Sequence, residues 1–151
     1  MPTVKRLLDV LEQTFVVFLL RPFWTNKVKE LKKSPKVRFF DNGFRNWVID
    51  RFEFSPEEMG RLFEGFVAVE AIKRGMRLDN MKFWRTADGS YEVDLVFENL
   101  KLAWEAKYKP EAKLKKSDFD GIEKFVEVYP DFKGEIVHLD NFAEKVREVV
   151  G

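Results

Sequence analysis

The sequence has no cysteine, and His138 is its single histidine. Disulfide bridges, thiolate zinc sites and nucleophiles activated by a Cys–His or Ser–His pair are therefore mostly excluded. The longest apolar run covers residues 15–20, which is far shorter than the roughly 20 residues that cross a bilayer. The first residues also lack the basic, apolar and small-residue order of a signal peptide. We therefore expect a cytoplasmic protein that is not embedded in a membrane.

An excess of charge of one sign is absent as well. The chain carries 27 basic and 26 acidic residues, for a net charge of +1. Since a protein that coats DNA is usually more basic, any contact with nucleic acid has to come from local basic patches. Gln13 is the only glutamine, while 35% of the residues are charged. This balance is common in proteins from hot environments.

The first 54 residues are expected to form a winged-helix-like linker segment. Apolar residues at helical spacing predict a helix, and the β-branched and aromatic run that follows predicts a buried strand. In order, the predicted elements are a helix from about Thr3, a strand over residues 14–20 stopped at Pro22, a basic connector over 27–36, a strand over 37–40, and a short helix after the Asp41-Asn42-Gly43 turn. Helix, strand, basic loop and strand correspond to the back end of a winged-helix module.

Residues 55–151 are expected to form the main domain. Its first helix starts with Ser55 as N-cap, Pro56 in the first position and Glu58 closing a capping box. The later predicted elements are the rest of this helix to about Arg74 and Gly75, strands over residues 82–86, 91–97 and 101–108, a helix capped by Ser117 with Phe119, Ile122, Phe125 and Val126 turned inward, a strand over 135–139, and a helix after Asp140 or Asn141. The order αβββαβα predicts an α+β fold with a mixed central sheet flanked by helices.

Two carboxylates are predicted to converge in this sheet. Strand side chains alternate between faces, so Glu105 and Lys107 share one side of their strand. On the preceding strand Asp94 points away from Val93 and Leu95, and the hairpin turn brings Asp94 beside Glu105. Like charges are costly to bring together unless a cation or a proton offsets them. The pattern therefore indicates a metal site, with a cross-strand salt-bridge cluster as the purely structural alternative.

Mg²⁺ or Mn²⁺ is the ion that suits these ligands. Magnesium takes one or two carboxylates, accepts a backbone carbonyl such as that of Ala106, and keeps waters for the substrate. The preceding helix adds Glu64, the only long side chain in a stripe of small residues that includes Gly60 and Ala68. Because an isolated buried acid is expensive, we expect Glu64 to face the metal site. The alternative is an ordinary exposed acid on a helix.

Several groups of residues resemble a known family. Leu62-Phe63-Glu64, Trp84-Arg85 with Glu92-Val93-Asp94, and Glu105-Ala106-Lys107 look like the PD-(D/E)XK nuclease-like domain at the carboxyl end of many prokaryotic AAA-type ATPases. Upstream, residues 8–15 and 34–43 are similar to the segment that joins those ATPases to that domain. The resemblance implies a restriction-endonuclease-like αβββαβ core. The sequence has no G-x-x-x-x-G-K-[ST] loop for ATP phosphates, so the chain cannot bind ATP in that way, and a separate ATPase partner is left as an open alternative.

The leading expectation is a nuclease that hydrolyses phosphodiester bonds of nucleic acid, preferably DNA, with Mg²⁺ or Mn²⁺. Asp94 and Glu105 would hold the metal with help from Glu64, and Lys107 would orient the attacking water and offset charge on the phosphate. A further set of basic side chains could hold the phosphate backbone, or simply belong to solvated loops: Arg85, Lys109, Lys113, Lys115 and Lys116.

A catalytically idle domain is the alternative of a different class. Such a domain would keep the fold and bind DNA or a partner protein. The combination of Asp94, Glu105 and Lys107 favours activity, whereas the near-neutral charge favours binding alone. Sixteen phenylalanines leave enough apolar surface for a homodimer. Trp84 and Trp104 are expected in the core rather than as platforms for nucleic-acid bases.

Overall fold

A computed structural model describes residues 2–23 and 34–149 of the chain. Within these residues five α-helices and six strands form the α+β fold that the sequence predicts. The elements are α1 (Pro2–Gln13), β1 (Val17–Pro22), β2 (Lys36–Phe39), α2 (Asn42–Val48), α3 (Pro56–Lys73), β3 (Met81–Arg85), β4 (Glu92–Phe97), β5 (Leu102–Lys107), α4 (Asp120–Val128), β6 (Lys133–His138) and α5 (Phe142–Glu148). From α3 onward the order is αβββαβα, as predicted. None of the helices in these residues has the length and apolar content needed to cross a bilayer.

All six strands belong to one mixed sheet, in the order β2-β1-β3-β4-β5-β6. β1 runs parallel to β3, and β5 runs parallel to β6, while the other neighbours are antiparallel. The β1–β2 hairpin of the first section therefore extends the sheet of the second. The division into a linker segment and a main domain at residues 54 and 55 stays a prediction. Most of the predicted basic connector lies outside the described residues.

The long helix α3 begins and ends where the sequence predicts. The Ser55 hydroxyl accepts the N–H of Glu58, and the Glu58 carboxylate accepts the N–H of Ser55, which completes the capping box. Gly75 follows the last turn with a φ of 100°, a backbone conformation that favours glycine. These local signals fix the two ends of α3, and therefore the turn of the helix on which Glu64 lies.

Two predicted element starts are wrong. β1 begins at Val17 rather than at residue 14, because the N–H of Thr14 still donates to the carbonyl of Val10 in the turn that ends α1. Ser117 does not cap α4, since it lies in a 3-10 turn and Phe119 occupies the N-cap position without a side-chain hydrogen bond. Phe119 is exposed instead of being turned inward.

The hydrophobic core lies on both faces of the sheet. On one face α3 and α5 cover side chains that include Phe18, Leu20 and Trp104, none of them more than 2% exposed. On the other face α4 packs against a cluster that includes Trp84 and Phe125. Both tryptophans of the central strands are therefore core residues, as expected.

A β-bulge interrupts β4 at Asp94. The register between β3 and β4 shifts by one residue between Lys82 and Trp84, so Asp94 and Leu95 together lie opposite a single residue of β3. The bulge breaks the alternation of side chains. Val93 and Leu95 consequently pack in the cores on opposite faces of the sheet, not on the same face as predicted. Bulges re-aim side chains and are common next to functional sites. The bulged segment here contains Asp94, one of the predicted metal ligands.

Candidate metal centre and basic cleft

Asp94 lies near the start of β4 and Glu105 near the end of β5, close enough for their carboxylates to repel each other. Asp94 is buried, with 6% of its surface exposed. Its Oδ2 accepts a hydrogen bond from the N–H of Ala106 at 2.9 Å, and its Oδ1 lies 3.8 Å from Nζ of Lys36. The side chain of Asp94 thus pairs with the backbone of β5 beyond the last paired residues of the two strands. This bond fixes its position relative to Glu105.

Burial and mutual repulsion disfavour the ionised forms of both acids. Burial raises the pKa of Asp94 well above its usual range, and repulsion from Glu105 and Glu64 raises it further, against the opposing charge of Lys36. Burial also raises the pKa of Glu105, despite the attraction of Lys107. Raised acid pKa values mean that the cations of the protein do not fully compensate the pair. Such a pair favours a shared proton or a bound cation.

Lys107 lies on the same side of β5 as Glu105, as the alternation of side chains predicts. Its Nζ is 2.8 Å from Oε1 of Glu105. Burial alone would lower the pKa of Lys107, but the attraction of Glu105, Asp94 and Asp118 together outweighs burial and raises it, so the ammonium group stays charged. Oε2 of Glu105 is buried, and no described residue gives it a hydrogen bond. A metal ion would supply the partner that this buried oxygen needs.

Two further acids border the pair, and each has a basic partner from β2. Glu64 of α3 forms an ion pair with Arg38, and Glu92 of β4 forms one with Lys36. The structure therefore gives Glu64 a different partner from the predicted metal, although its charge still acts on Asp94. Lys36 belongs to the basic connector that the sequence predicts over residues 27–36, where it could hold phosphate, whereas Arg38 was not among the predicted site residues. The signal for them is two basic residues at alternate positions in a short strand, which places both on one face.

A cleft of about 460 Å³ opens beside these acids. Four basic and two acidic side chains line it together with Val37: Lys36, Arg38, Arg61, Arg85, Glu64 and Glu92. Nε of Arg85 donates to the Glu92 carboxylate at 2.5 Å. A cleft with an excess of positive charge next to a carboxylate pair is suited to a phosphodiester backbone.

The lysine-rich loop after β5 contributes little to this cleft. Lys113, Lys115 and Lys116 are exposed, and none of them lines the cleft. Nζ of Lys109 lies 2.7 and 2.9 Å from the two carboxylate oxygens of Asp118, so its charge is offset within the loop. Of the five basic side chains predicted to hold phosphate, Arg85 is therefore the one placed at the candidate site.

The ligands present fit a divalent ion whose remaining ligands are waters. Within residues 2–23 and 34–149 no group of three or more histidine, aspartate or glutamate side chains is placed to hold one ion. Asp94 and Glu105 supply the one or two carboxylates that Mg²⁺ commonly uses, and Oε2 of Glu105 has a free coordination position. Ala106, predicted to offer its carbonyl, contacts Asp94 through its N–H. The donor set suits a weakly held Mg²⁺ or Mn²⁺.

Comparison with protein families assigns the larger part of the chain to a known family. The model described as "Domain of unknown function (DUF4143)" matches residues 59–150. The chain belongs to the DUF4143 family. DUF4143 domains are found in proteins associated with AAA-type ATPases, which confirms the coarser part of the resemblance seen in the sequence. A second model, "Domain of unknown function (DUF8612)", matches residues 1–55.

Two curated proteins are similar to this DUF4143 chain. They are "Uncharacterized protein Mb2031c" of Mycobacterium bovis and "Uncharacterized protein Rv2008c" of Mycobacterium tuberculosis. Each is 33% identical over 101 residues, which cover 64% of this chain and 22% of the relative. The chain therefore spans less than a quarter of the length of these relatives. No solved structure matches the chain.

Proposed function

We propose that this DUF4143 domain is a divalent-metal-dependent nuclease of the PD-(D/E)XK class that hydrolyses phosphodiester bonds of DNA. The observation that carries the proposal is the pair of buried, mutually repelling carboxylates, Asp94 and Glu105, beside a basic cleft. Groups whose pKa is strongly perturbed by burial and by a specific charged neighbour are concentrated at functional sites. The cleft offers a phosphate backbone a place next to such a pair.

Each central residue has a distinct role in this proposal. Asp94 and Glu105 would hold Mg²⁺ or Mn²⁺, with waters completing the coordination. When bound, such an ion polarises a phosphoryl oxygen and lowers the pKa of a bound water. Lys107 is held by Glu105 and stays charged. Its ammonium group would therefore orient the attacking water and offset the negative charge that develops on the phosphate.

The cleft residues would hold the strand on either side of the scissile bond. Arg38 and Arg85 present guanidinium groups, whose planar donors match two phosphate oxygens at once. Each is already paired with an acid, Glu64 and Glu92 respectively. A phosphate would share these donors with the carboxylates. This arrangement predicts moderate affinity that falls as the salt concentration rises.

A catalytically idle domain that binds nucleic acid is the second candidate. The observation that favours it is local charge balance, because Lys36, Arg38 and Lys107 each already neutralise an acid near the centre. No third carboxylate ligand is placed with the pair in the described part of the chain. Metal binding and cleavage together separate the two candidates, since a nuclease needs both and an idle domain needs only the basic cleft.

Calorimetric titration with Mn²⁺ tests the proposal directly. Wild type should bind the ion weakly at one principal site, and Asp94→Asn should abolish the heat because it removes one of two carboxylate ligands. Since the pKa values of the pair are raised, binding should release protons, and the measured heat should change with the ionisation enthalpy of the buffer. Asp131→Asn removes an exposed acid paired with Lys101 and should titrate like wild type.

Cleavage assays complete the test with single-stranded, duplex and branched DNA and with RNA, each in Mn²⁺ and in EDTA. We expect cleavage of DNA that is lost in EDTA and in Asp94→Asn. Equal heats from wild type and Asp94→Asn would remove the metal site from consideration. Metal binding without cleavage of any substrate would leave the idle domain as the function.

A further inference from the structure

A second pocket, of about 290 Å³, lies between β2, α2 and α3. Four of its lining side chains are arginines and one is a glutamate: Arg38, Arg45, Arg51, Arg61 and Glu58. The arginines come from different parts of the chain, and nothing in their local sequence requires them to converge. A concentration of guanidinium groups in one concave site is typical of anion recognition, because it leaves positive charge to be offset by a ligand.

Helix packing keeps this pocket open. Nδ2 of Asn42, in the first turn of α2, donates to the carbonyl of Leu62 in α3 at 3.0 Å and holds the two helices together. Gly65 is buried at the pocket wall, and a Cβ built there would lie 3.9 Å from the side chains of Arg38 and Asn42. The walls therefore consist of packed secondary structure.

The arginines keep part of their hydrogen-bonding capacity available. Arg51 lies 2.9 Å from Glu58, and Arg61 lies 2.5 Å from Glu57 one turn before it on α3. Both arginine side chains are more than half exposed. Exposed ion pairs of this kind hold their partners weakly, so a doubly charged or bidentate anion can compete for the same donors.

The pocket is continuous with the cleft beside the carboxylate pair. Val37, Arg38 and Arg61 line both cavities, so the basic surface passes from the arginine pocket along β2 to Glu64 and Glu92. Basic side chains that continue from one cavity into the next suit an extended polyanion better than a single small ion. One end of the path is an arginine pocket, and the other end is the candidate metal centre.

We propose that the arginine pocket binds a backbone phosphate of the nucleic-acid strand that passes the carboxylate pair, and so fixes the register of the strand. The proposal rests on the proposed function for the identity of the ligand. It assigns the recognition of this phosphate to residues 38–61, most of which lie outside the match to the DUF4143 model. Arg45 and Arg51 belong to the pocket alone, whereas Arg38 and Arg61 also line the cleft.

Fluorescence anisotropy with a short, labelled single-stranded DNA in EDTA tests this pocket without any cleavage. The double variant Arg45→Ala/Arg51→Ala should raise Kd by about tenfold, and the slope of log Kd against log salt should fall by about 0.7, the change expected for one lost phosphate contact on a single strand. The control is Arg77→Ala/Lys133→Ala, which removes two exposed basic side chains outside both cavities. This control should leave both quantities unchanged. Arg45→Lys/Arg51→Lys keeps the charge and should keep most of the salt slope.

The outcomes separate this inference from the proposed function. If Asp94→Asn binds DNA like wild type and cleaves nothing, while Arg45→Ala/Arg51→Ala binds weakly, the pocket is assigned as proposed. A second outcome is that wild type and all variants fail to cleave DNA while Arg45→Ala/Arg51→Ala still shows the higher Kd and the smaller salt slope. In that case the nuclease proposal fails and the phosphate pocket stands. An unchanged Kd and slope in the double alanine variant would overturn the pocket. So would polyglutamate that binds wild type as tightly as DNA with the same sensitivity to the variant, because the ligand would then be an acidic protein segment.

Discussion

Asp94 contributes both a hydrogen bond and a negative charge, and substitutions can separate the two effects. Its Oδ2 accepts the N–H of Ala106 and holds the ends of β4 and β5 together. Its negative charge, in contrast, is disfavoured by burial and by Glu105 and Glu64. Asparagine keeps an acceptor for Ala106 and removes the charge, whereas alanine removes both. The pair of variants therefore measures the structural bond and the unfavourable charge independently.

The pH dependence of stability follows from the raised pKa of Asp94. An acid whose folded pKa lies above its unfolded value contributes stability below the unfolded pKa, about 3.9 for aspartate, and loses that contribution as the pH rises through the folded pKa. In EDTA, wild type should therefore lose stability relative to Asp94→Asn as the pH rises from about 4 through the raised folded pKa of Asp94. The difference in Tm between the two proteins, measured by circular dichroism across this range, should grow with pH.

Asp118→Asn is the control with the opposite sign. Burial would raise the pKa of Asp118, but its hydrogen bonds and ion pair with Lys109 outweigh burial and lower it. Its contribution to stability is present above the usual aspartate pKa and is lost as the pH falls through the lowered value.

Asp94→Ala should in addition be less stable than Asp94→Asn by about 1–3 kcal/mol at every pH, because the Ala106 N–H loses its acceptor. Parallel curves for wild type and Asp94→Asn would show that the charge of Asp94 is not disfavoured in the fold.

Alternation along β5 was enough to predict that Glu105 and Lys107 share one side of that strand, and the hairpin was enough to predict that Asp94 lies near Glu105. Neither was enough to predict the ion pairs of Arg38 and Lys36. Those contacts depend on the parallel pairing of β1 with β3, which brings together segments separated by about sixty residues. No local pattern encodes which strands become neighbours. The bulge at Asp94 was also missed, since the register of β4 depends on its partner strand.

Helix α4 approaches the sheet more closely at Gly121 than α3 approaches its neighbours at Gly60. A Cβ at Gly121 would lie 2.3 Å from the backbone oxygen of Glu92, so this position tolerates no side chain without a shift of the backbone. At Gly60, predicted to be part of a close-packed stripe on α3, no atom lies within 4 Å of the Cβ position. Composition alone could not distinguish the two glycines, because the distance to the sheet depends on the packing of the whole helix.

Substituting alanine at these two glycines should have opposite effects. Gly121→Ala should destabilise the fold by about 1–3 kcal/mol, the usual range for an overpacked site, because α4 has to move away from the start of β4. Gly60→Ala should stabilise it by about 0.5–1 kcal/mol, since alanine restricts the unfolded chain and fits the open site within a helix. Chemical denaturation of both variants and wild type measures these differences. Equal stability of the two variants would contradict the close approach of α4.

We expect the β1–β2 hairpin to belong to the same cooperative unit as the DUF4143 region. β1 lies inside the sheet between β2 and β3, and the N–H of Phe23 donates to the carbonyl of Phe83 at 2.6 Å. Phe18 and Leu20 are 0% and 2% exposed and pack beneath α3. The hairpin also supplies Lys36 and Arg38 to the candidate site. Removing it would therefore open both the core and the cleft.

Truncation tests whether the hairpin and the DUF4143 region unfold as one cooperative unit. A chain of residues 55–151 loses Phe18 and Leu20, each worth about 1.5–3 kcal/mol when buried, out of a total stability of about 5–15 kcal/mol. It also exposes the edge of β3, so we expect no cooperative unfolding by circular dichroism in urea. A chain of residues 14–151 is the control. It lacks only α1, whose Val4, Leu7 and Val10 are all more than half exposed, and it should unfold cooperatively. If residues 55–151 unfold cooperatively near the stability of the full chain, the hairpin is peripheral, the predicted boundary at residue 54 is a true domain boundary, and the basic residues of β2 are dispensable for the fold that carries Asp94 and Glu105.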